Sequence, residues 1–244
     1  MSTETENLHD LLNNSYVTLV EEVMGENLLS ILIYGSAAGE GYVKKVSDVN
    51  LLLIVKELDP DRLIAFGKRT RRITRKRKIV PLVLTRSEFE HSADVFPMEY
   101  LDIQRRNVVL TGTDESSRIE ISEDNLRHQL ESSMRGNLNL LRQAIVAARG
   151  RKRILGHFLK SWLGRQHAVF KAFLRLKGTN PVPTNLREVA DAVQEATAFD
   201  TAPFNTLIEY RDGNKTDTKI DPVELSGELH RAMQDLVTLV DSME

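Results

Sequence analysis

Apolar side chains at Leu8, Leu11, Leu12, Tyr16, Leu19, Val20 and Val23 return every three or four residues, the spacing that lines one face of a helix. Gly25 marks its end, since glycine readily takes the left-handed conformation that closes helices. The next apolar run, Leu28 to Tyr34, is short and stops at Gly35-Ser36, as a buried strand entering a turn does. Val49 to Val55 is apolar except for Asn50, so it reads as a strand covered on both faces. Asp59-Pro60-Asp61 then opens a helix. Asp59 serves as N-cap, Pro60 occupies a first position that needs no amide, and Asp61 faces the positive end of the helix dipole. That helix is expected to reach about Arg75. Ile79 to Leu84 is a third strand, which Pro81, unable to donate to a neighbour, puts at a sheet edge or at a local bulge. Thr85 to His91 reads as a turn and short helix, Pro97 to Arg105 as another helix, and Asn107 to Leu110 as a short strand before a polar break from Thr111 to Ser117.

Past that break the period of two disappears. Leu126, Leu130, Met134, Leu138, Leu141 and Ile145 mark a long helix, and Ile154, Phe158, Trp162, Val169, Phe173 and Leu176 a second. Gly150 marks the break between them. Asn185 to Thr197 and Pro222 to Ser242 supply two more, while Ala198 to Asp221 is the least regular stretch, with Gly213, Asn214 and Lys215 at an exposed turn. The expected architecture is therefore α+β: a small mixed-sheet domain over residues 1–120, then a helical bundle of four helices over 121–244. In that bundle Trp162, with Phe158 and Phe173, is assigned to the core rather than to stacking on a ligand ring.

Composition narrows the function without choosing it. With 41% hydrophobic and 28% charged residues the chain is an ordinary globular protein. The formal charge of -2 argues against wholesale coating of nucleic acid. It conceals a basic run, Lys68, Arg69, Arg71, Arg72, Arg75, Lys76, Arg77 and Lys78, which covers about three helical turns and so points in several directions. A solvated surface is the plainest reading of that run; a nucleotide tail, RNA or an acidic protein are the alternatives. There is no cysteine, which excludes disulfides, thiolate metal sites and cysteine nucleophiles. His91, His128, His157, His167 and His230 have no zinc-binding spacing. No apolar run approaches the roughly 20 residues that cross a bilayer, and no signal segment is evident, so no membrane role and a cytoplasmic location are expected.

The chemistry concentrates where the first two strands meet. Gly35-Ser36-Ala37-Ala38-Gly39 is followed by Ser47-Asp48-Val49-Asn50-Leu51-Leu52-Leu53. Glycine at a strand end lets backbone amides approach a polyphosphate, and a serine hydroxyl adds a donor. Residues two apart on a strand share a face, so Asp48 and Asn50 point the same way. Bland readings remain open at each position: Asp48 also suits a strand start that caps its own turn, and Asn50 a buried amide satisfied by nearby backbone.

This pattern resembles the polymerase-beta-like nucleotidyltransferase superfamily, whose members carry a Gly-Ser turn and then an Asp-x-Asp strand. More narrowly it is similar to the aminoglycoside nucleotidyltransferases and their uncharacterised bacterial relatives. The motif match covers residues 30–55, and Phe96-Pro97-Met98-Glu99-Tyr100-Leu101-Asp102-Ile103, with Gly112 and Asp114, extends the similarity. The resemblance implies Mg2+ and a nucleoside triphosphate, with Gly35, Ser36 and Ser47 cradling phosphates, Asp48 as the catalytic, metal-ligating carboxylate, and Asn50 in the second acidic place of the metal site. Asparagine offers a metal only a neutral carbonyl oxygen. The family's third acid belongs on a following strand, and Ile79 to Leu84 has none; Glu99 is the nearest candidate, as a substitute ligand, as a base for a substrate hydroxyl, or simply as a helix-start residue that suits the dipole.

Three functions follow as expectations. The first is transfer of a nucleoside monophosphate to the hydroxyl of a small molecule or protein, which the loss of the second acid weakens. An aminoglycoside acceptor would favour an acidic cleft, for which Glu188, Asp191 and Glu195 are the available side chains. The second is a catalytically inactive nucleotide-binding or regulatory protein, including an antitoxin-like role with a protein partner. The third is a homo-oligomer built on a bundle face.

Overall fold

The computed structural model describes residues 3–39, 42, 47–197, 199–213 and 220–242. The chain divides into two compact units, Met1–Ser122 and Glu123–Glu244. No helix among the described residues is long and apolar enough to cross a membrane.

The first unit opens with α1 (Thr3–Leu11), a wider π-helical stretch at Leu12–Val17 and α2 (Thr18–Met24), which follow one another without interruption. Of the predicted apolar stripe, Leu8, Leu12, Tyr16 and Val20 are buried and Leu11, Leu19 and Val23 half-buried, and Met24, outside the prediction, is buried with them. Gly25, at φ +53, closes it. Then come β1 (Leu28–Tyr34), β2 (Val49–Val55), α3 (Pro60–Arg77), β3 (Ile79–Thr85), α4 (Arg86–His91), α5 (Pro97–Arg105) and β4 (Asn107–Gly112). Asp59 caps α3 by accepting from the amide of Asp61, as its sequence implied. Thr85 and Glu88 cap α4 reciprocally, each side chain serving the other's backbone.

The strands form one sheet in the order β3-β2-β1-β4. β1 runs antiparallel to both β2 and β4, and β2 runs parallel to β3, so the sheet is mixed. Pro81 does lie on an edge strand. The alternation of β2 divides the core. Val49, Leu51, Leu53 and Val55 face α1–α3 in one apolar cluster, with Phe66 and Tyr16 edge to face at 6.4 Å. Leu52 and Ile54 face the opposite way, packing with Leu32, Phe89, Tyr100 and Ile103. The both-sides burial expected of this strand is what the sheet requires.

The second unit has five described helices, α6 (Glu123–Ala148), α7 (Lys152–Leu176), α8 (Leu186–Ala196), α9 (Ala202–Asp212) and α10 (Pro222–Asp241), where the sequence predicted four. The extra one, α9, lies within the stretch read as least regular. Proline near its start and weak apolar periodicity hid it, yet Phe204, Leu207 and Ile208 are buried and Gly213 closes it at φ +70. Asn214 and Lys215, expected in the same turn, lie outside the described residues. Arg149 and Gly150 both take positive φ in the break between α6 and α7. Trp162 belongs to the core, as expected: its ring stacks near Phe204 at 6.3 Å and its indole N–H donates to the Asn137 carbonyl at 3.1 Å. Phe173 is fully buried, Phe158 half-buried.

Phe204→Ala should therefore destabilise the helical unit by about 3–5 kcal/mol, the range for emptying a buried aromatic site. Trp162, the sole tryptophan, reports this unit by fluorescence in urea; an unchanged midpoint would show that α9 does not seal the core.

Candidate functional site

The strand register brings the motif together at one end of the sheet. Asn50 pairs with Tyr34 across β1 and β2, Tyr34 with Asn107 across β1 and β4, and Asn50 with Val80 across β2 and β3. Gly35 follows Tyr34, Asp48 stands just ahead of β2, and Arg106 just ahead of β4, so all three emerge at this end. Gly35 has φ +73, a conformation open to glycine, and a Cβ there would lie 3.4 Å from the side-chain nitrogen Nδ2 of Asn50. The turn and the strand expected to cooperate are thus in contact.

A short 3-10 turn, Gly35–Ala38, follows β1. It is tied to the first helix by side chains that the sequence did not single out. His9 Nε2 bonds the Ala37 carbonyl at 2.8 Å, which requires the tautomer carrying its proton there, and Thr5 Oγ1 donates to the Gly39 carbonyl at 3.2 Å. Thr5 and His9 are four residues apart, hence on one face of α1, and both are buried. Polar residues at helical spacing beside an apolar stripe were the available signal. Ser36 is exposed between these anchors.

Gly39 has a different neighbour: a Cβ on it would lie 2.9 Å from both Cδ and Nη1 of Arg106, whose side chain lies across this glycine. Gly41 lies outside the described residues.

Asp48 is exposed and Asn50 half-buried, so neither is aimed into a dry interior; Ser47 is half-buried beside them. By strand parity Asn50 shares its face with Leu52, Ile54 and Tyr34. Val80, abreast of Asn50 on β3, is 50% exposed, and it occupies the place where a carboxylate could have faced Asn50. The amide of Val49, between Asp48 and Asn50, donates to the carbonyl of Lys78 at 3.0 Å, which places a basic residue's backbone beside the motif. The rest of the basic run follows α3, where Lys68, Arg69, Arg71, Arg72, Arg75 and Lys76 border an open groove and Arg69 pairs with Glu22 at 2.6 Å.

Glu99 is exposed in the first turn of α5. Burial pushes the Tyr34 phenol above its ordinary value, and the negative charge of Glu99 adds to the shift. Glu99 therefore acts electrostatically on the residue paired with Asn50. Among the described residues no group of three His, Cys, Asp or Glu side chains is placed to hold a metal ion. Convergent anionic ligands are what a two-metal site needs. Asp48, Asn50 and Val80 abreast of it do not make such a donor set. Glu188, Asp191 and Glu195, considered for a cationic acceptor, ride on α8 with their side chains exposed.

No family model matches the sequence, and no curated protein matches it. The structure is similar to that of the spectinomycin adenyltransferase AAD(9) from Enterococcus faecialis, determined with ATP and spectinomycin, with a TM-score of 0.59 at 12% identity. The superposition covers 91% of this chain and 97% of that one. At this identity the likeness is one of fold, and the fold is the one that the glycine turn and Asp48-x-Asn50 strand implied for polymerase-beta-like nucleotidyltransferases.

Replacing Glu99 by Gln should lower the Tyr34 pKa, because removing a nearby negative charge makes the phenolate less costly. Titration of the labelled tyrosine ring carbons by NMR reads this directly; an unmoved Tyr34 would detach Glu99 from the site.

Proposed function

We propose that this nucleotidyltransferase fold binds a nucleoside triphosphate against the Gly35–Gly39 turn and has lost most of its capacity to transfer the nucleotide. The observation that supports the reading is the contact of Gly35 with Asn50 beside the solvent-facing Asp48. Backbone close enough for phosphate and a carboxylate at hand are retained. The converging negative charge that would hold catalytic cations is not.

Asp48 is the anionic ligand for a magnesium ion accompanying the nucleotide, with the Asn50 carbonyl as a neutral second donor. The acceptor would carry a hydroxyl, with Glu99 as the available base for its proton. Retained binding with weak transfer also suits a regulatory protein that responds to nucleotide.

Calorimetry with ATP, with and without magnesium, tests the reading, and failure to bind under either condition refutes it. Asn50→Asp should raise the magnesium-dependent affinity by on the order of tenfold, since it restores a charge within a few ångströms of the ion. Adding Val80→Asp should increase transfer of labelled nucleotide to an acceptor library. A folded Asn50→Asp protein with no gain would show that this position is not the missing charge.

A further inference from the structure

We propose that Arg106 is the phosphate-binding cation of this site, and that its guanidinium lets the Gly35–Gly39 turn hold a polyphosphate without a divalent ion. The inference rests on the nucleotide-binding reading and assigns the charge that the altered acids no longer recruit.

Three observations carry it. Arg106 lies across Gly39, at a separation that only a glycine allows: a Cβ would meet its Cδ and Nη1 at 2.9 Å. The side chain is half-buried, and among the described residues no hydrogen bond or ion pair engages its guanidinium. Other arginines of the chain have found carboxylates, Arg86 on Glu115 at 2.7 Å and Arg135 on Asp241 at 2.8 Å. A partly desolvated cation without an anion is unfavourable unless one arrives.

The backbone beneath it is held firmly. The Arg106 amide donates to the Asp102 carbonyl at 3.3 Å. The side chain of Asn107 donates to the Ile103 carbonyl, to Asp114 and to Ser116 Oγ, and Gln104 donates to the carbonyls of Ser116 and Ile119. Arg106 thus projects from a braced junction between α5 and β4.

A planar guanidinium takes two phosphate oxygens at once, which suits a di- or triphosphate better than a single carboxylate on a metabolite. In a carboxylate-rich site the metal ions neutralise the triphosphate. Here Asn50 and Val80 add no negative charge to hold such ions, and Arg106 meets the phosphates directly.

The test is calorimetry on the full chain with ATP and with inorganic tripolyphosphate, each in magnesium and in EDTA. Wild type should bind ATP with an affinity that changes less than about threefold on removing magnesium, and Arg106→Gln should weaken both ligands by about tenfold or more. Arg106→Lys should recover part of the loss by retaining charge without the fork. Gly39→Ala should weaken binding by displacing the guanidinium, since at φ -161 its backbone accepts any residue. If Arg106→Gln does not fold, the lysine and Gly39→Ala variants decide the matter.

Unchanged affinity in folded Arg106 variants, or loss of ATP binding in EDTA, overturns the inference while nucleotide binding stands. Tripolyphosphate binding that requires Arg106, with no binding of ATP, upholds this anion site and removes the nucleotide reading. Absence of binding by either ligand overturns both.

Discussion

The paired placement of β1 is the constraint on which the candidate site depends. This strand bonds β2 on one side and β4 on the other, and its faces are split between two apolar clusters. A slip of one residue would exchange those faces and bury the wrong set of side chains. The register that satisfies both clusters also puts Asn50, Tyr34 and Asn107 in one row, and so aligns Gly35, Asp48 and Arg106 at the end of the sheet. The site's geometry is a by-product of packing that stabilises the domain.

Charge at that end departs from what phosphoryl chemistry with metals uses. The polymerase-beta-like pattern concentrates carboxylates so that cations gather about the triphosphate. In this chain Asn50 stands two residues after Asp48, the exposed Val80 lies abreast of it, and Arg106 lies across Gly39, the last glycine of the turn. Anion recognition tolerates this change, because glycine turns and guanidinium groups bind phosphate without a metal. Transfer tolerates it less, because developing charge on attacking and leaving oxygens then lacks its electrostatic partner. In the proposed reading, binding and turnover separate along that line.

The helical unit is organised about α7, which packs against α6, α8, α9 and α10 and buries Trp162, Phe170 and Phe173. Phe204 from α9 lies 4.8 Å from Phe170 and stacks on Trp162, so the helix with the weakest sequence signal supplies a central part of the aromatic core. Local propensity is a poor guide there, since the burial of a few large rings outweighs the irregular pattern around them.

The sequence by itself determined the element order of the first unit, the ends of β1 and β2, the Asp59 cap and the glycine turn beside Asp48 and Asn50, and narrowed Pro81 to an edge or a bulge. Those features rest on local chemistry: a period of two, a fixed proline dihedral, a capping oxygen, a glycine at positive φ. Tertiary structure alone decided that Val80 stands beside Asn50, that His9 and Thr5 anchor the turn, that Glu99 acts on Tyr34, and that Arg106 lies over Gly39. Each of these joins residues far apart in the chain, and such contacts exist only once sheet register and core packing have chosen which distant side chains become neighbours.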